Sequence, residues 1–200
     1  MTTLRHSVTS AGFFGKLPAR GDFVRSGLSR DFVDPWDAWL QHVLSGSQDT
    51  LGDAWPDAWL QAPIWRFALP PGLCGAAAVL GLWMPSVDRA GRYFPLTIAL
   101  TTPGGWGSVA AAGGGFLDEA ERAGLAALEQ DLPPEALGER IAAALSGPVG
   151  DSGAPMDDGM AAWWTDGSPL VPASVLSIAG LPDTERFTSM IAGHQDTAWP

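Results

Sequence analysis

Cysteine is nearly missing from these 200 residues. Cys74 stands alone, which excludes an intramolecular disulfide framework and a cysteine-rich metal site. Lysine is as scarce, with Lys16 the single copy, and 11 basic residues face 22 acidic ones for a net charge of -11. A phosphate-backbone binder needs clustered positive charge, so this balance argues against a nucleic-acid partner. His6, His42 and His194 are far apart and lack ligand spacing, which argues against zinc. No stretch approaches the roughly 18 uninterrupted apolar residues of a membrane span. The N-terminal Met-Thr-Thr-Leu-Arg-His-Ser-Val lacks the apolar core of a secretory signal. A cytoplasmic chain without membrane insertion is therefore expected.

What is present is ample material for a core. Apolar residues make up 46% of the chain and ten are tryptophan, and each aromatic can bury about 150–250 Å². The length fits one domain over residues 1–200. Charge divides it. Residues 1–100 carry eight basic and eight acidic side chains, whereas residues 101–200 carry three and fourteen. The reading is a motif-bearing core of sheet and helix over 11–102, followed by an acidic, helical part over 103–200.

Ala11 to Leu17 reads as a first strand stopped by Pro18. In the loop that follows, Arg20, Asp22 and Arg25 are candidates for function, or else form the internal Asp–Arg pair of a solvated turn. Phe32, Trp36, Trp39, Leu40, Val43 and Leu44 share one helical face. Proline inside a helix costs about 3 kcal/mol, so Asp34 is placed as N-cap and Pro35 at the first helical position, with the regular helix over about 35–45 and room for a turn before it. Asp37-Ala-Trp-Leu-Gln41 returns as Asp57-Ala-Trp-Leu-Gln61. Two copies do not make a solenoid, and Trp36, Trp39, Trp55 and Trp59 are read as core anchors. Ile64 to Leu69, Gly75 to Pro85 and Arg92 to Thr102 read as strands, the last two as antiparallel neighbours because their connection is too short for a parallel crossover. Helices are expected over 116–130, 133–146 and 183–192, a linker over 147–159 and a short strand over 174–179.

Between two of those strands lies Met84-Pro-Ser-Val-Asp-Arg-Ala-Gly-Arg-Tyr-Phe-Pro-Leu-Thr97. Ser86, Asp88, Arg89 and Arg92 fall within seven residues, ahead of an aromatic pair, Tyr93 and Phe94, that belongs in a core. Polar groups on a rigid frame are how binding sites are usually built. Three chemical motifs fail. Gly150-Asp-Ser-Gly-Ala-Pro155 resembles a serine-protease loop, but Ser152 has no suitable histidine. The Gly-rich stretch over 104–115 has no lysine after it, so it is no Walker loop. Asp22 and Asp88 could form an acid–base pair, yet an Asp–Arg network is the commoner fate of such residues.

Four ordered segments carry a resemblance: Gly12-Phe-Phe-Gly-Lys-Leu-Pro-Ala-Arg-Gly-Asp-Phe-Val24, Phe32-Val-Asp-Pro-Trp-Asp-Ala-Trp-Leu-Gln41, Pro63-Ile-Trp-Arg-Phe67 and Met84 to Thr97. Trp163-Trp164 and Gly180-Leu-Pro182 add a weaker C-terminal pattern. The chain resembles the TagF family, also called ImpM, of bacterial type VI secretion. The resemblance implies a cytoplasmic post-translational repressor that binds a forkhead-associated (FHA) scaffold protein of the apparatus. It also implies an α+β fold, a mostly antiparallel sheet flanked by helices and related to profilin-like or longin-like domains. Some members carry a metal-dependent phosphatase, whose aspartate pattern is lacking here.

The expected site gathers Lys16, Arg20, Asp22, Arg25, Arg66, Ser86, Asp88, Arg89 and Arg92 on one side of the sheet. It would bind a protein surface or an anion through arginine forks, or brace the two loops against each other. No cofactor and no catalytic activity are expected. The alternative is a hydrolase using Asp22, Asp88 and Ser86.

Overall fold

The computed structural model describes residues 10–102, 115–145 and 159–193. His6, His194, most of the Gly-rich stretch, nearly all of the 147–159 linker and the Ser152 loop lie outside the described residues.

Among the described residues, seven strands form a single antiparallel sheet: β1 (Ser10–Gly15), β2 (Val24–Ser26), β3 (Trp65–Leu69), β4 (Ala78–Met84), β5 (Leu96–Thr102), β6 (Ala161–Thr165) and β7 (Ser174–Ile178). Their order is β2-β1-β5-β4-β3-β6-β7. The helices are α1 (Arg30–Leu51), α2 (Trp55–Leu60), α3 (Phe116–Glu129), α4 (Pro134–Ala144) and α5 (Thr184–Ala192). Trp163-Trp164, left without a strand assignment by sequence, sits in β6, so the C-terminal part completes the sheet as well as covering it. The expected α+β class with an antiparallel sheet is what the chain adopts.

Both faces are buried, which explains why β4 reads Ala-Val-Leu-Gly-Leu-Trp-Met without polar alternation. Val79 and Trp83 face a layer built on α1, α2 and α5, with Trp36, Leu40, Trp59, Phe67, Trp163 and Phe187. Leu80, Leu82 and Met84 face α3 and α4, with Phe13, Ile98, Phe116, Leu137 and Ile141. Trp36 is fully buried, donates its indole N–H to Thr97 Oγ1 at 3.0 Å and packs on Phe67 and Trp163. Trp36, Trp55 and Trp59 are core anchors, and Trp39, partly buried, packs on the same cluster while donating to the Pro182 carbonyl. Replacing so large a buried ring by alanine typically costs about 3–5 kcal/mol.

α1 departs from expectation at both ends, running on to Leu51 rather than stopping at 45. α1 begins at Arg30 with Ser29 as N-cap, and Pro35 lies inside it. Two gains offset the lost backbone bond. The early start buries Phe32 and Val33, and it lets the Asp31 carboxylate accept the Ala76 N–H at 2.9 Å, tying the helix to the chain before β4.

Candidate functional site

Sheet register brings the two charged segments together. Gly15 pairs with Leu96 and Leu96 with Met84, so β1 and β4 deliver residues 16 and 85 to the same end of the sheet. Gly15 has φ +139°, and a Cβ there would run into the Pro95 carbonyl. Only glycine lets β1 lie this close to the end of the 85–95 loop.

The loop closes on itself around Asp88. Its Oδ1 accepts the backbone N–H groups of Ala90 and Arg92 at 2.8 and 2.9 Å, and its own N–H donates to the Arg92 carbonyl at 3.0 Å. Gly91, at φ +77°, makes the tight return. Val87 and Tyr93 bridge across the neck; Phe94 sinks into the core, and half-buried Tyr93 packs edge-on against Trp55.

The second Asp88 oxygen leaves its own loop. Oδ2 accepts from Lys16 Nζ at 2.5 Å and from Arg92 Nε at 2.8 Å, while Lys16 and Asp88 are both buried. Desolvation would raise the Asp88 carboxyl. The hydrogen bonds from Lys16, from the Arg92 N–H and guanidinium and from Ala90 outweigh it and hold the group well below the usual carboxylate range. Backbone contacts reinforce the junction: Ser86 Oγ donates to the Lys16 carbonyl at 2.8 Å, the Arg89 N–H to the Arg20 carbonyl at 3.2 Å, and Arg92 Nη2 to the Gly21 carbonyl. Trp59 holds the loop from below through the Ser86 carbonyl.

The nine expected residues therefore separate into four groups. Lys16, Ser86 and Asp88 form a buried brace. Arg20, Arg25, Arg89 and Arg92 are exposed above it, with Arg20 4.0 Å from Glu135 of α4 and Arg25 in β2, at the sheet edge. Asp22 is exposed and takes no part in the Asp88 network. Arg66 is engaged elsewhere, with Glu121 of α3 and Asp166 after β6, each at 2.7 Å. Desolvation pulls its pKa down, but those two carboxylates together raise it above the ordinary value.

Phe23 belongs to the site and was missed by sequence reasoning. Its ring lies 4.5 Å from Lys16 Nζ, stacks on Phe14 at 5.7 Å and meets Phe94 edge-on at 4.7 Å. A lone Phe among charges in a loop gives no periodic signal. The cue available was the pair Phe14 and Phe94 in the flanking motifs, which offered it partners.

An antiparallel sheet covered on both faces, with a buried ion pair locking two loops beneath an arginine-bearing surface, defines this chain as an α+β domain with a rigid polar end. Residues 12–144 match the TagF N-terminal domain, type VI secretion system-associated, and the chain belongs to that family. The crystal structure of PA0076 from Pseudomonas aeruginosa PAO1 is similar at a TM-score of 0.81 and 38% identity, over 96% of this chain and 98% of that one. None of the curated proteins matches the chain significantly. No helix among the described residues is long and apolar enough to cross a membrane.

Proposed function

We propose that this chain is a cytoplasmic, post-translational repressor of a type VI secretion apparatus, acting by binding the apparatus's FHA-domain scaffold protein through the surface carrying Arg20, Arg25, Arg89 and Arg92. Membership of the TagF family supports the association with type VI secretion. One observation carries the choice of surface, and it is the charge distribution. Residues 16–25 and 86–92 hold five basic and two acidic side chains, net +3, in a chain whose net charge is -11, so the remainder is at -14. A positive end on an acidic protein steers association with an acidic partner.

The hydrolase reading is the weaker one. Both Asp88 oxygens are filled by donors, the Ser86 hydroxyl is committed to the Lys16 carbonyl, and Asp22 is exposed and outside that hydrogen-bond network. A general base needs a free lone pair within reach of the proton it takes.

Overproducing the chain in a cell with an active secretion apparatus is expected to suppress effector release. The variant Arg25→Glu/Arg89→Glu at the same level is expected to leave release untouched. Equal suppression by both forms would refute this surface as the means of repression.

A further inference from the structure

We infer that Phe23 is the apolar anchor of this docking surface, received by an apolar socket in an acidic, carboxylate-rimmed face of the partner protein. The inference rests on the reading of the arginine-bearing end as the partner-binding surface.

Phe23 is 50% exposed, although its other contacts are those of a core residue. Phe14 stacks on it with the planes 13° apart, Phe94 meets it at 80°, and the Lys16 ammonium lies under the ring. A ring held on three sides has little freedom left to lose on binding, which removes one of the main costs of association. The two loops that meet beside it also carry exposed arginines. Arg25 pairs directly with Phe14 across β1 and β2, so both side chains leave the sheet on the same face. The Gly21 carbonyl, two residues from Phe23, takes the Arg92 guanidinium, and the Arg20 carbonyl takes the Arg89 N–H. A rigid, half-exposed aromatic on loops that also carry exposed arginines has the composition of an interface hot spot.

Charge selects the occupant. The two loops carry net +3, and the surface stays positive when Glu135 beside Arg20 is counted, so it attracts an acidic face and repels a basic one. Two of the four guanidiniums already face acceptors within the fold, Arg92 with Asp88 and Gly21, and Arg20 with Glu135. What remains is a rim of separate charges that suits several carboxylates better than one phosphate.

The test measures binding of the purified FHA-domain scaffold protein to the immobilised full chain, alongside thermal unfolding of each variant. Wild type is expected to bind, and more weakly as salt rises from about 0.05 to 0.5 M, as screening requires. Phe23→Ala is expected to weaken binding at least tenfold. Phe23→Leu keeps an apolar cover over the Lys16–Asp88 pair and is expected to fold like wild type while binding several-fold more weakly. Val175→Ala, at an exposed apolar residue on the far edge strand β7, should bind like wild type. If wild type binds and the folded Phe23 variants bind as well as it does, the anchor is refuted and the arginine surface stands. If wild type does not bind the scaffold, the partner reading falls and the anchor with it. Binding abolished by phosphatase treatment of the scaffold would overturn the carboxylate face.

Discussion

Asp88 takes the ammonium of Lys16 at 2.5 Å across 72 residues of sequence, and neither side chain has appreciable access to water. Two charges withdrawn from solvent gain little net stability by meeting, but separating them is costly because the survivor stays buried. The pair therefore acts as a latch. It fixes the 16–23 and 85–95 loops to each other and sets the geometry of the arginines above them.

The latch predicts a specific loss of stability in acid. An unfolded aspartate titrates near 4, and in the fold Asp88 is held well below that value. Between the two values the unfolded chain binds more protons, so stability rises with pH there. The contribution is complete above about pH 4 and is lost as pH falls through the folded value. Urea midpoints for wild type should drop below about pH 4. Those of Asp88→Asn should start lower at neutral pH and fall less steeply. Parallel curves for the two proteins would show that Asp88 is not the group responsible.

Gly15→Ala should destabilise the fold by about 1–3 kcal/mol or more, because the new Cβ meets the Pro95 carbonyl at a φ of +139°. Gly21→Ala, in the loop that follows β1 and with open space around it, should be neutral or stabilising by up to about 1 kcal/mol. Urea denaturation of both variants separates a required glycine from an incidental one.

Arg66 supplies a control for the site. Its ties to Glu121 and to the exposed Asp166 join β3 to its neighbours and involve none of the Asp88 network. Arg66→Met should cost about 1 kcal/mol or less, since both carboxylates can return to water, and should leave scaffold binding unchanged. A binding loss equal to that of the surface arginines would place Arg66 back in the site.

Much of this architecture can be read along the chain because it rests on local patterns. The apolar runs of β4 and β5 and the charged loop between them are contiguous, so the strands and hairpin follow from unbroken apolar runs and from the shortness of the connection. What fails locally depends on distant partners. Pro35 looks like a helix start until Phe32 and Val33 find the sheet and Asp31 finds the Ala76 N–H. β2, three residues long with a charge at its centre, exists because β1 offers it an edge. The site shows the same division. That the two charged loops meet was legible from their excess of arginine, but spacing cannot rank carboxylates. Asp22 and Asp88 look alike in sequence. Only Asp88 lies opposite Lys16, because the pairing of β1 with β5 puts the end of β1 beside the hairpin loop.

The central claim is that exposed arginines on a braced end of the sheet bind an acidic partner. Arg25 and Arg89 are the residues to reverse, because both are exposed and neither side chain contributes to the Asp88 network. Titrating the FHA-domain scaffold protein with wild type and with Arg25→Glu/Arg89→Glu in a calorimeter tests the claim most directly. Wild type is expected to bind saturably and the variant to lose at least about tenfold, 1.4 kcal/mol, with its unfolding midpoint unchanged. Equal affinity of the two proteins for the scaffold would contradict it.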